Sequence, residues 1–305
     1  MGEPHDPIEV RIDLTRVRTN AVAVKRQTGR PLIAVVKSDA YGLGARAVVK
    51  ALEGVADEFA YFNLDEARAV RKPGLILGPL SGSPAGHAAI GVRPSVGSVA
   101  EARLVGRLPV ALQVDTGMRW FGCPPDQIDQ IRKACVIVEA FTHTMSVSGA
   151  RMLRRLCEGK VPRLHAAASR LLDQPAAWLD AVRPGLALYR GAVTATTRLA
   201  AVRDLDGPAG YRRFRARRAG IILCGYARGF VPGTVLLNGR CRRVLDVGMN
   251  TSMIEIGPQD RPGDRVILLG GAMTEDVVAE SVGCTPHEVL CRYACLGPRM
   301  YAGPA

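Results

Sequence analysis

Long hydrophobic runs are missing from this chain of 305 residues: none approaches the roughly 18 apolar residues that a membrane-spanning helix needs. The opening MGEPHDPIEV has neither the basic start nor the apolar stretch of a signal peptide, so a cytoplasmic protein with no membrane partner is expected. Aromatic residues make up only 5% of the chain, and acidic residues are outnumbered by basic ones, 28 to 41. Lysine is much the scarcer of the two permanent cations, with six against thirty-five arginines. The resulting net charge of +13 raises nucleic acid as a partner. Its densest segment, YRRFRARRAG at 211–220, reads equally as a phosphate-binding ribbon, a solvated strand face or a tight anion site, and nucleic acid is not the partner expected. The eight cysteines, mostly in apolar segments such as IILCGY and HEVLCRYACLG, read as reduced core residues and not as a disulfide framework.

Against that scarcity of lysine, PLIAVVKSDAYGLG at 31–44 stands out. An apolar run ends in Lys37, and glycines then lead into a helix-like segment, which reads as strand, turn and helix start. A lysine emerging at the mouth of an apolar core loses solvation, which eases release of its proton and frees the amine as a nucleophile or base. The bland alternative is a surface lysine at a strand end. A rival reading uses Gly42, Gly44 and Ala47 as the glycine turn of a dinucleotide-binding unit, with Asp57 or Glu58 as the ribose acid.

The order of elements weighs against that rival. Residues 8–26 open as a short strand and continue with Leu14, Val17, Ala21 and Val24 at helical spacing. Apolar runs at 31–36, 58–62, 74–80, 89–96, 110–115, 136–143, 163–169 and 182–189 alternate with helix-like segments. Eight strands with intervening helices describe an α/β fold of the (β/α)8 barrel type, with its chemistry at the carboxyl ends of strands. Lys37, Asp115, Thr142, His143 and Ser169 fall at such ends. From about 200 the pattern becomes mostly β, with Asn238-Gly239 as a hairpin turn and 263–271 as another strand. The expected division is a barrel over 8–200 and a β-rich C-terminal domain over 201–305, with the first strand near 8–13 packing against the latter. The closing segment starts a helix with Thr285, Pro286 and Glu288 as a capping box. Cys284, His287, Cys291 and Cys295 near that helix invite a metal assignment, but one helix face rarely surrounds an ion, and buried thiols are expected there with no metal.

These motifs together resemble the alanine racemase family of pyridoxal 5'-phosphate (PLP) enzymes, which join a PLP-binding (β/α)8 barrel to a mostly β C-terminal domain. IAVVKSDAYGLG is similar to the family's cofactor-lysine motif, VDTGMRWFG to its barrel-loop motif and FTHTMSVS to its histidine strand. HAAAS, VRPGLALYRG, CGYARGF, VGMNTSM, GDRVILLGG and HEVLCRYACLGPRMY follow in the family's order. The chain is shorter than typical members, chiefly between Lys37 and His143, so trimmed barrel helices or loops are expected.

The resemblance implies a PLP-dependent amino-acid racemase that removes and returns a proton at Cα with two bases. Lys37 would carry PLP and be one base; Tyr226, from the partner subunit of a homodimer, would be the other. Arg183 would face the pyridine nitrogen, His165 would back Arg183, and His143 would lie beside the ring and orient Arg183 and Tyr226. Tyr41, Ser169 and Gly185 would hold the phosphate. Arg119 and the amide of Met249 would meet the substrate carboxylate. The family's carboxylate-binding arginine is Trp120 here, with Arg119 one place earlier, and its supporting lysine is Gln113. Its acid after methionine is Asn250, the GYADG acid is Arg228, and the asparagine before the phosphate serine is Ala168. These departures fall on substrate recognition. They leave open whether the substrate is alanine, and the alternative is a catalytically impaired PLP-binding protein of the same fold. Decarboxylation on the same scaffold is disfavoured, because it profits from a protonated ring nitrogen and Arg183 opposes one.

Overall fold

The computed structural model describes residues 7–303. The expectation that no leader is present rests largely on residues 1–6, which lie outside the described residues. The chain divides into two compact units. One comprises Val17–Ala40 and Gly44–Leu188; the other comprises the described residues up to Arg16, the short Tyr41–Leu43 and everything from Tyr189 onward.

The first unit is built around parallel strands. Ile33–Val35, Glu58–Tyr61, Gly74–Ile76 and Val92–Arg93 pair in that order, and Ser95–Val96, Pro109–Gln113, Val136–Phe141 and Leu164–His165 pair likewise. Pro94 separates the two sets. It has no N–H to give a ladder, but its carbonyl accepts from the Ala111 amide, so 92–96 acts as one strand interrupted at proline. Closure comes from a short last segment. Ala181 bridges to His165 and Val182 to Leu32, while the Ile33 amide donates to Val182 O and the Val35 amide to Pro184 O. The eight strands therefore close into a barrel, as the spacing of apolar runs predicts.

Two expected strands are shorter than their apolar runs suggest. Only Leu164–His165 of 163–169 is strand, and of 182–189 only the bridging start is extended before Leu186–Tyr189 turns helical. Pro184 removes a donor from that last segment and so limits its ladder. The barrel's helices are brief. Leu64–Val70, Pro84–Ile90, Val99–Val105 and Ile128–Ala134 each span seven residues. Three of the four start on a side-chain cap, from Asn63, Ser83 and Ser98. Such caps satisfy first-turn amides that a two-turn helix can ill afford to leave bare.

The glycine turn at 42–44 does lead into a helix, Ala45–Leu52, but within a closed barrel. Asp57 and Glu58 are committed elsewhere: Asp57 pairs with Lys25 and accepts the Leu32 amide, and Glu58 pairs with Arg93 and Arg163. The dinucleotide reading is thereby excluded on structural grounds.

The second unit holds an eight-stranded sheet that includes Glu9–Asp13, the twelve-residue Val193–Asp204 and Arg299–Ala302. Glu9–Asp13 runs antiparallel to Val193–Asp204 and parallel to Arg299–Ala302. The hairpin of Thr234–Leu237 and Arg240–Val247 turns at Asn238 and Gly239, both at positive φ of 48° and 73°, as its twisted strands require. Residues 211–217 contain turns and bends, and strand begins only at Arg218–Ile222, so the basic segment is not the alternating ribbon its sequence suggests.

The helix Pro286–Tyr293 starts on the expected capping box of Thr285 and Glu288. Its cysteines differ from expectation. Val289, Leu290 and Tyr293 form its buried face, and the spacing of four residues that joins 287, 291 and 295 turns that row away from the core. Cys291 and Cys295 are exposed and Cys284 half-buried, whereas Cys123, Cys157 and Cys224 are core residues.

Candidate active site

In the barrel unit, Lys37 follows directly on the buried Val36 and is itself half-buried. The turn after it is left-handed: Ser38, Asp39, Ala40 and Tyr41 have φ of 54°, 52°, 53° and 58°. Each non-glycine residue held there costs about 1–2 kcal/mol, so other contacts must offset the strain. The Ser38 amide donates to Glu66 Oε1 at 2.9 Å, and Asp39 Oδ1 accepts from the Ala45 amide at 2.7 Å. Glu66, which also accepts the Phe62 amide at 2.7 Å, was not singled out by its motif. Its effect is to clamp the backbone beside Lys37.

Arg183 is buried at 3% exposure. Its Nη1 donates to His165 Nδ1 at 2.8 Å and its Nη2 to the Thr142 carbonyl at 2.8 Å. The guanidinium lies over the Phe141 ring, 4.9 Å from its centroid, and Phe141 stacks on His165 at 5.4 Å. His165 Nε2 is 3.1 Å from Glu139 Oε2, and Arg93 Nε donates to Glu139 Oε1 at 2.7 Å. Sequence reasoning brought Arg183 and His165 together but missed Glu139. A lone acid in the apolar run VIVEAF was the available signal.

Burial dominates the protonation of this group. It lowers the His165 imidazole to about 4, reinforced by Arg183 and opposed by the Glu139 bond. Burial also brings Arg183 down to about 10. For Glu139 burial acts upward, but the bonds and charges of His165 and Arg93 outweigh it and hold the carboxyl at about 2. Both His165 and Glu139 thus have folded values below their ordinary 6.5 and 4.5. Between the two values of each group the unfolded chain binds the extra proton, so stability falls as pH drops through those windows. Acid titration followed by circular dichroism should show stability declining from near neutrality, with the Glu139→Leu variant losing less of it below pH 4.5. The carboxylate's share is on the order of 3 kcal/mol. An unchanged acid profile in that variant would contradict the assignment.

Ser169 Oγ accepts from the Gly185 amide at 3.1 Å and the Ala187 amide at 3.0 Å. The structure thus brings Ser169 and Gly185 together. With both amides donating to its oxygen, the Ser169 hydroxyl keeps its own proton to donate, a neutral group suited to an anion.

The loop after Pro109–Gln113 is held tightly. Asp115 Oδ1 accepts the amides of Gly117 at 2.8 Å and Arg119 at 3.0 Å, and these bonds, the Arg119 amide's first, lower its carboxyl. Gly122 passes so close to Asp115 that a Cβ there would meet its nitrogen at 2.5 Å. Arg119 sits at φ 54° with its side chain exposed. Trp120 stacks flat on His143, ring centres 5.3 Å apart and 13° between planes. A neutral aromatic plate therefore covers His143 where the resemblance places a cation. Gln113 is buried on its strand.

In the β unit, Tyr226 and Met249 are brought together. The Tyr226 amide donates to Gly248 O and the Ala227 amide to Met249 O, each at 3.0 Å. A Cβ on Gly225 would lie 2.4 Å from both of those carbonyls, so only glycine permits the approach. Both side chains are exposed, Tyr226 at 56% and Met249 at 57%. Arg228, the departure in GYARG, donates through Nη1 to the Leu296 carbonyl at 2.8 Å and so tethers this turn. Asn250 is exposed. Tyr41 belongs to this unit and is buried, its ring centre 5.1 Å from Tyr189 and 5.9 Å from His287. Burial, with the nearby Cys291, pushes its hydroxyl up to about 12.

A parallel barrel with a strand-end lysine, a buried arginine on a neutral histidine and a serine hydroxyl beside Gly185 suits a barrel-type PLP enzyme. The groups present fit that cofactor: an amine that would meet its aldehyde, a guanidinium that would meet its ring nitrogen and a hydroxyl that would meet its phosphate. The chain belongs to the alanine racemase family, a family of PLP-dependent amino-acid racemases. The description "Alanine racemase, N-terminal domain" matches residues 12–193, and "Alanine racemase, C-terminal domain" matches 192–301. Among its relatives, alanine racemase of Salinispora tropica is 30% identical over 367 aligned positions, covering 97% of this chain and 98% of that protein. Alanine racemase of Halorhodospira halophila is 29% identical, covering 94% of each. Those alignments are longer than this chain, so the relatives carry segments that it lacks. The biosynthetic alanine racemase of Pseudomonas aeruginosa superposes with a TM-score of 0.90 at 25% identity, over 98% of this chain and 100% of that one. Alanine racemase from Bartonella henselae, solved with covalently bound pyridoxal phosphate, superposes at 0.87 with 22% identity, over 98% of this chain and 100% of that one. The enzyme is accordingly an amino-acid racemase, an isomerase that uses PLP.

Proposed function

We propose that this racemase interconverts the L and D forms of an amino acid in the cytoplasm, as a homodimer whose subunits share their sites. The observation that carries the assignment of roles is the buried Arg183 held by His165 and the Thr142 carbonyl, in the same barrel as the strand-end Lys37. When bound, PLP supplies a conjugated ring that takes up the electron pair left as the Cα proton departs.

Lys37 anchors the cofactor and exchanges the proton on one face of Cα. The partner subunit's Tyr226 exchanges it on the other, since inversion requires groups on both sides. Arg183, a permanent donor, keeps the ring nitrogen without a proton, which limits charge spreading and discourages decarboxylation. Ser169 and Gly185, with Tyr41, hold the phosphate. His143 flanks the ring beneath Trp120. Arg119 and the backbone of Met249 meet the substrate carboxylate; the exposed Arg119 side chain is the charged group nearest in sequence to the position that Trp120 occupies. The substrate is alanine or another small amino acid accepted beside that tryptophan.

Sharing between subunits is supported by the exposure of Tyr226 and Met249 in the single chain, where a group meant for its own barrel gains nothing from facing solvent. None of the eight cysteines, all among the described residues, forms a disulfide, as suits a reducing compartment. Mixing Lys37→Ala with Tyr226→Phe subunits should restore activity, because one of the two sites in each mixed dimer would then hold both native bases. Up to about a quarter of the native activity is expected from random pairing with equal amounts of the two. No recovery, once subunit exchange is proven by labelled chains, would exclude the shared site.

A further inference from the structure

We infer that Glu139 is a positioning residue for the reaction: through His165 it sets which imidazole nitrogen meets Arg183, and so fixes the guanidinium that faces the cofactor ring. This inference rests on the proposed role of Arg183.

The hydrogen-bond inventory forces the direction of each bond. Arginine donates and cannot accept, so His165 Nδ1, 2.8 Å from Arg183 Nη1, must be the nitrogen without a proton. The imidazole proton is then on Nε2, which points at Glu139 Oε2 at 3.1 Å. A carboxylate only accepts, so it selects that arrangement and no other. All three side chains are buried, with exposures of 3% for Arg183, 0% for His165 and 1% for Glu139, so water cannot substitute. Glu139 is itself immobile: Arg93 Nε donates to Oε1 at 2.7 Å, and Arg163 Nη1 lies 3.5 Å from Oε2. Phe141, stacked on the imidazole and lying under the guanidinium, blocks rotation of the ring. An imidazole held uncharged by burial fits the same picture, since it carries the single proton the chain of bonds requires.

Glu139→Gln keeps the shape and changes the bonding. An amide offers one oxygen and one NH2. Arg93 at 2.7 Å claims the oxygen, which turns the NH2 toward His165. The NH2 then favours a bare Nε2 while Arg183 still favours a bare Nδ1; one imidazole proton cannot satisfy both, so the Nε2-protonated form loses its exclusive hold. Nitrogen-15 spectra of histidine-labelled protein without added PLP read the tautomer directly. The native chain should show His165 protonated at Nε2 alone, and Glu139→Gln should show a new population protonated at Nδ1. With PLP and substrate, the variant's kcat should drop by about tenfold with KM little changed, as loss of one buried bond to a charged group implies. Glu58→Gln is the control, since it alters partners of Arg93 and Arg163 but not of His165. It should leave the tautomer as in the native chain.

Three results would overturn the inference: a native His165 protonated at Nδ1, an unchanged tautomer in folded Glu139→Gln, or an equal change in Glu58→Gln. The first needs no variant, so a Glu139→Gln chain that failed to fold would leave the test intact. Because the tautomer is read without cofactor, its outcome is separate from whether the enzyme racemises at all.

Discussion

Lys37→Ala is expected to abolish racemisation, with a loss of at least about 10^4-fold, and to remove the visible absorption of the lysine-bound cofactor. On the roles proposed for Lys37, two functions leave with one side chain. The amine that anchors PLP is gone, and so is the base for one face of Cα. Folding should be spared, because Lys37 is only half-buried and the left-handed strain lies in residues 38–41, held by Glu66 and Asp39. Circular dichroism and thermal unfolding of the variant check that point. The spectrum decides the assignment: absorption that survived the substitution would mean that another lysine carries the cofactor, and the chain has only five others.

Tyr226→Phe should lower racemisation by about 10^2–10^4-fold while leaving the visible absorption in place. The substitution removes a proton-carrying oxygen and little else, since the ring is more than half exposed and its turn is made by backbone bonds to Gly248 and Met249. The loss should also be uneven. Proton exchange on the Lys37 face would continue, so the variant incubated with one enantiomer in deuterated water should still exchange its Cα hydrogen, with retention of configuration. Undiminished turnover in both directions would show that some other group serves the second face.

Much of the barrel was legible because its strands are nearly continuous apolar runs, the pattern expected of strands buried on both faces. Lys37 stood out because a charge at the end of such a run is conspicuous. The same rule misled at 163–169 and 182–189, where alanines, Pro184 and Gly185 extend an apolar stretch beyond the ladder that the backbone can form. Cys291 and Cys295 were misjudged for a related reason: apolar neighbours in sequence are not neighbours on a helix face. Glu139 was invisible as a partner of His165 because they lie 26 residues apart and meet only when adjacent strands Val136–Phe141 and Leu164–His165 pair in register. The stacking of Trp120 on His143 depends on a loop folded around Asp115 and Gly122, which no periodicity announces.

The substrate departures take on physical meaning in that light. Arg228 is a tether for the Tyr226 turn, so its difference from an acid alters how the turn is held. Trp120 replaces charge with a flat apolar surface, which removes one way of gripping a carboxylate and leaves Arg119 as the nearby cation. Lys37, Tyr226, Arg183 and His165 are all present, so on the roles proposed for them the changes bear on which amino acid is bound and not on the proton chemistry.

The most direct measurement is a chiral assay of the purified, PLP-loaded protein against a panel of L-amino acids, with the visible spectrum recorded on the same sample. The expected result is absorption from the lysine-bound cofactor together with conversion of one small amino acid to its D form. Cofactor absorption with no amino acid inverted would contradict the racemase and favour a PLP-binding protein that has lost turnover.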